Sequence, residues 1–152
     1  FAERAGMQCL VEPHVLNLGD ERVVLVHGDR YCTNDKSHQG FRRLTRNRVF
    51  ETLFLQLPKT WRLGLVAGVR GYSQSKKKTL SAMGIVPQSL VRHLKTLEVM
   101  KVIHGHTHQP GLTLHQAFGV SYEQYVLSDW DDNPHILCYD KTKGFYYLHL
   151  NE

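Results

Sequence analysis

Two short β-branched runs, RVVLV at residues 22–26 and VMKVI at 99–103, each stop at histidine and glycine, in His27-Gly28-Asp29 and in His104-Gly105-His106. A run of this kind, ended abruptly, reads as a buried strand that delivers a loop. Loops at the carboxyl ends of strands are where open α/β sheets place their ligands. A chain with two such strands is therefore constrained to an α/β arrangement in which histidines gather at one end of a sheet.

The sequence between them reads differently. Phe41, Leu44, Phe50, Leu53, Phe54 and Leu57 recur at helical spacing, Arg42, Arg43, Arg46 and Arg48 fill the other faces, and Pro58 closes the segment. This predicts one amphipathic helix over residues 35–57. In residues 59–72, Gly64, Gly68 and Gly71 weaken a helix, and SQSKKK follows as a polar, basic stretch. Pro87 suits a first helical turn, so a further helix is predicted from Pro87 through Leu90, Val91, Leu94 and Leu97. The tail, with YEQYVLSDW, HILCYD and FYYLHL, reads as antiparallel strands, the last two joined by a DKTKG hairpin. The fold class expected is α/β (α+β), one domain over residues 1–152 with a helical insertion at 36–98.

Charge and cysteine content narrow the function. A net charge of +5 calls for an anionic partner, either nucleic acid, a phosphorylated substrate or an acidic membrane face. Three scattered cysteines, Cys9, Cys32 and Cys138, make no disulfide framework and point to a reducing compartment, by default the cytosol. No stretch approaches the roughly 18 apolar residues of a spanning helix, and FAERAGMQCLVEPH at the start lacks the layout of a signal peptide. A soluble or peripheral protein is expected.

In an extended segment His106 and His108 point the same way, with Gly105 expected to let the backbone turn tightly beside them. His27 leaves the other strand at an equivalent place, so three imidazoles from two strand ends can meet around a metal ion. His104, still at the strand end, is expected to orient the others. His14, His38, His93 and His149 read as ordinary polar positions in a chain with 10 histidines. A metal pair held this way polarises phosphoryl oxygens and acidifies water, which suits phosphoester hydrolysis. Carboxylates are few: Asp29 is close in sequence, while Asp129, Asp131 and Asp132 lie in a separate loop.

LVHGD at 25–29 and GHTH at 105–108 resemble the last two signature motifs of calcineurin-like metallophosphoesterases, which imply a β sandwich flanked by helices. HGDRYCTND at 27–35, TLFLQLP at 52–58, SQSKKKTLSAM at 73–83 and IHGHTHQP at 103–110 further resemble the UDP-2,3-diacylglucosamine pyrophosphatases of lipid A biosynthesis, from the first residues to about Trp130. The resemblance implies His27, His106 and His108 as ligands of a two-ion manganese (Mn2+) centre, with His106 also beside the substrate phosphate. It implies substrate contacts from Asp35, Ser73 and Lys78, although Ser73 and Lys78 stand closer together than the family pattern, and the family's asparagine contact has no counterpart. Residues 36–98 would form a helical lid whose Phe41, Leu53, Phe54, Leu57, Trp61 and Leu65 supply an acyl groove.

The family's earlier acidic motifs, Asp-x-His, Gly-Asp and Gly-Asn-x-Asp, are absent, and Phe1 is not an initiator methionine. The expectation is therefore the carboxyl-terminal part of a longer enzyme, incomplete at its start and inactive alone. The complete enzyme would release UMP and 2,3-diacylglucosamine 1-phosphate on the cytoplasmic face of the inner membrane, held peripherally to anionic lipid by Arg42, Arg43, Arg46 and Arg48 and the lysines at 76–78, with no nucleic-acid partner. The rivals are hydrolysis of another phosphodiester, a single zinc on His27, His106 and His108, and a non-enzymatic nucleic-acid-binding module.

Overall fold

The computed structural model describes residues 2–75, 84–107, 109–129 and 134–150. The chain divides into two compact units, one of Phe1–Tyr31 with Ile85–Glu152 and one of Cys32–Gly84.

The first unit is built on a five-stranded sheet of order β1-β2-β3-β5-β4, from β1 (His14–Leu18), β2 (Glu21–Val26), β3 (Lys101–His104), β4 (Gly111–Ala117) and β5 (Val120–Val126). β2, β3 and β5 run parallel, and their register sets Val26, His104 and Val126 side by side at one end. β1 and β4 pair antiparallel at the two edges. A second, two-stranded sheet pairs β6 (His135–Asp140) with β7 (Gly144–His149), the predicted hairpin.

The apolar run in β2 is explained by what covers each face. Successive side chains alternate across a strand, and Val23 and Val24 are both fully buried, on opposite sides. Val24, Val26, Val102 and Tyr122 pack with Leu90, Val91 and Leu94 of α4 (Pro87–Leu97), while Val23, Ile103 and Tyr125 pack with Leu137, Phe145 and Tyr147 of the β6–β7 hairpin. A central parallel strand covered on both sides needs just such a continuous apolar run. The Tyr147 hydroxyl fastens the hairpin by bonding the Val126 and Gly111 carbonyls, both at 2.8 Å. α4 begins at Pro87, as predicted, but it belongs to the sheet's core. The second compact unit ends at Gly84.

The second unit holds three helices, α1 (Lys36–Thr45), α2 (Arg48–Gln56) and α3 (Lys59–Ser75). The single helix predicted over 35–57 is broken at Asn47, whose side chain accepts the Val49 and Phe50 amides and caps α2. The glycines of residues 59–72 do not prevent a 17-residue helix. Each glycine costs about 1 kcal/mol against alanine, which a helix of this length absorbs. Neither α1 nor α2 contains a fully buried residue. Phe41, Leu44, Val49, Leu53, Trp61 and Leu65 are all exposed. No helix among the described residues is long and apolar enough to cross a membrane.

Candidate metal centre

His27 is the first residue beyond β2 and His106 the second beyond β3, so the parallel register delivers both to one end of the sheet. Their rings meet edge to face, with centroids 5.2 Å apart and planes at 62°. The loops are joined by the Gly105 amide, which donates to the His27 carbonyl at 3.2 Å. The His27 amide donates to the Glu12 carboxylate, and His27 Nδ1 lies 3.4 Å from Asp29 Oδ1. At that distance the carboxylate is an electrostatic neighbour of the imidazole, with no hydrogen bond between the two atoms. Asp29 is nearly buried, whereas the His27 side chain is more than half exposed.

Gly28 is the glycine this geometry requires. Its φ is 114°, and a Cβ there would stand 3.1 Å from His106 Cβ and 3.2 Å from His104 Nδ1. Gly105, expected to serve the tight turn, has neither a positive φ nor a close neighbour; the crowding falls on the other loop. His104 is fully buried beneath this contact, and neither ring nitrogen has a hydrogen-bond partner among the described residues. Burial, then the neighbouring His106 and His27, lowers its pKa to about 4. His104 is thus a neutral imidazole at neutral pH.

The remaining residues named from sequence fall elsewhere. Asp35 caps α1: its Oδ1 accepts the His38 amide at 2.9 Å and the Ser37 hydroxyl at 2.7 Å. Ser73 is exposed on α3. Both belong to the inserted unit, whereas His27 and His106 belong to the sheet unit. His108, Lys76, Lys77, Lys78, Asp131 and Asp132 lie outside the described residues. Among the described residues no three His, Cys, Asp or Glu side chains converge tightly enough to hold a metal ion by themselves; the pair brought together is His27 and His106. Glu12, 15 residues before the amide it accepts, carries no motif and was not named from sequence.

The chain is 39% identical over 139 residues to the UDP-2,3-diacylglucosamine hydrolase of Aeromonas hydrophila, an alignment covering 90% of this chain and 58% of the relative. Over about nine-tenths of its length the chain is similar to UDP-2,3-diacylglucosamine hydrolases. The hydrolase of that name from Serratia proteamaculans is 40% identical over 132 residues, covering 86% of this chain and 55% of the relative. That of Aromatoleum aromaticum is 35% identical over 142 residues, covering 92% and 58%. The chain thus spans little more than half the length of these hydrolases. Coverage of 90% also carries the likeness past Trp130, further into the tail than the motifs indicate. No protein-family model matches the chain.

Proposed function

We propose that the protein carrying this chain hydrolyses the pyrophosphate bond of UDP-2,3-diacylglucosamine, releasing UMP and 2,3-diacylglucosamine 1-phosphate. The observation that carries the reading is the approach of His27 to His106 at the ends of adjacent parallel strands, in a chain alike to hydrolases of that substrate over about nine-tenths of its length.

The donor chemistry fits a transition-metal centre. Neutral imidazoles are its usual ligands, and the described residues bring two of them, His27 and His106, to one end of the sheet with the Asp29 carboxylate close to His27 Nδ1. His27 and His106 would hold the metal, with His108 as the third imidazole and two manganese ions in the complete site. Bound there, the metal supplies Lewis acidity toward the diphosphate and a more acidic water. The chain's own contribution is placement. Asp29 puts a negative charge beside the His27 ring, Gly28 admits the two loops to each other, and buried His104 adds no positive charge beneath them. Asp35, Ser73 and Lys78 are assigned to the sugar and phosphate of the substrate, and the exposed apolar side chains of the inserted unit to its acyl chains.

The test is UMP release by the product of the full reading frame that encodes this chain. Turnover should vanish with a chelator and return with Mn2+. Absence of UMP release from metal-replete protein overturns the reading, and a metal count of one in place of two favours a single zinc.

We further propose peripheral attachment of the protein to the anionic cytoplasmic face of the inner membrane. Arg42, Arg43 and Arg46 stand in a segment with exposed Phe41, Leu44 and Val49, the pairing of basic and apolar groups that an interfacial helix uses. Each basic side chain near such a surface contributes about 1 kcal/mol, so reversing Arg42, Arg43 and Arg46 to glutamate should weaken binding to phosphatidylserine vesicles at least about 100-fold at low salt. Unchanged cosedimentation would remove this role.

A further inference from the structure

We infer that the Tyr31 hydroxyl and the His93 imidazole form a positioning latch that holds the His27–Tyr31 turn against α4, and so fixes where His27 and Asp29 stand. The sequence marked His93 as an ordinary polar position, and Tyr31 ends the turn that starts at His27.

Tyr31 is 3% exposed and packs with Leu90, Val91 and Leu94 of α4. Its ring would be as well buried as phenylalanine, so the hydroxyl answers to something besides packing. It lies 2.6 Å from His93 Nδ1, a contact between groups 62 residues apart in sequence. Tyr122, in the same core, leaves its hydroxyl without a partner among the described residues, so a bond is not automatic for a phenol here. Burial first, then the Arg30 guanidinium, lowers the His93 pKa; a neutral imidazole can accept a hydrogen bond at Nδ1 from the Tyr31 hydroxyl.

Three further bonds make the turn a closed bracket. The Tyr31 amide donates to the Gly28 carbonyl at 3.0 Å, the Val86 amide donates to the Tyr31 carbonyl at 3.0 Å, and the Gly105 amide donates to the His27 carbonyl at 3.2 Å. One end of the bracket is thus tied to the loop that carries His106 and the other to the root of α4. Tyr31 and Ile85 are also the points where the chain leaves and re-enters the sheet unit. The side-chain bond to His93 is the only tie in this set that a substitution can remove without altering the backbone. Because α4 is anchored by three fully buried side chains, it is the rigid body against which the turn is held.

The inference concerns the proposed hydrolysis, and its test separates the two. In the product of the full reading frame, Tyr31→Phe, His93→Ala, the double variant and His93→Asn are compared by hydrogen exchange and by steady-state kinetics. Amides of residues 28–31 should exchange about tenfold faster in Tyr31→Phe and in His93→Ala, with β2 and β3 unchanged. His93→Asn, whose amide reaches the Nδ1 position, should restore protection. Displacing a reacting group by a fraction of an ångström costs about 10- to 100-fold in rate, so kcat should fall by that factor with KM nearly constant. The double variant should be no worse than either single one. Unchanged exchange in the turn, a uniform rise across the unit, or faster exchange with kcat intact would each overturn the positioning role. Should the wild-type protein release no UMP, the hydrolase reading fails and the exchange result alone decides the latch.

Discussion

Replacing His106 by alanine should lower kcat/KM for UDP-2,3-diacylglucosamine by at least about a thousandfold while leaving the fold intact. The ring lies past the end of β3, only partly buried, and its neighbour is the His27 ring rather than the core. Its removal takes away one of the two imidazoles whose rings meet at the sheet end among the described residues. Metal content by elemental analysis should fall together with activity, and the far-ultraviolet spectrum and unfolding midpoint should stay within the range of surface substitutions. Turnover within tenfold of wild type, or full metal occupancy, would show that this end of the sheet is not where the reaction happens. The structure also names the right control. Gly28→Ala inserts a Cβ at 3.1 Å from His106 Cβ in a backbone at φ 114°, so it should damage the same step with both imidazoles still present.

The largest loss of stability is expected from Leu94→Ala. Leu94 is 1% exposed, on the face of α4 that covers Val24, Val102 and Tyr122. Truncating a buried leucine costs about 2 to 5 kcal/mol, and the upper part of that range applies where the surroundings cannot collapse. Here the floor is a sheet fixed on its other side by the hairpin, so little collapse is available. Leu53, 59% exposed on α2, is the contrast; Leu53→Ala should change stability by less than about 0.5 kcal/mol. Urea unfolding of both variants measures the difference. Equal effects would contradict the burial pattern.

Much of this was legible before the structure. Strands β2 and β3 showed themselves because residues on both faces are buried and their runs are rich in β-branched side chains. α4 did so through its proline start and its Leu90, Val91, Leu94 spacing. The edge strands β1 and β4 escaped notice: HVLNL is mostly half-buried and GLTLHQA mostly exposed, and neither has the continuous run of a central strand nor a clean alternation. The break at Asn47 was hidden inside a longer helical period, since a capping asparagine and a helix-interior asparagine look alike until the backbone turns. At the site, the meeting of His27 with His106 followed from two matching strand ends. The duty of Gly28, the Glu12 carboxylate on the His27 amide and the partner of Tyr31 did not, because each depends on a loop or helix that the sequence places far away.

The parallel seam between β2 and β3 has a consequence for how the molecule assembles. β1 with β2 is a local hairpin, and α4 with β3, β4 and β5 is a continuous stretch of chain, so each half can form from near neighbours. Joining them means closing a loop that contains the whole inserted unit, and such non-local closure is what slows folding. The penalty rises only with the logarithm of loop length, about 0.6 kcal/mol per doubling, so trimming the insertion would hasten the step little. His27 stands on one side of that seam and His106 on the other; the two imidazoles become neighbours only when the slowest pairing is complete.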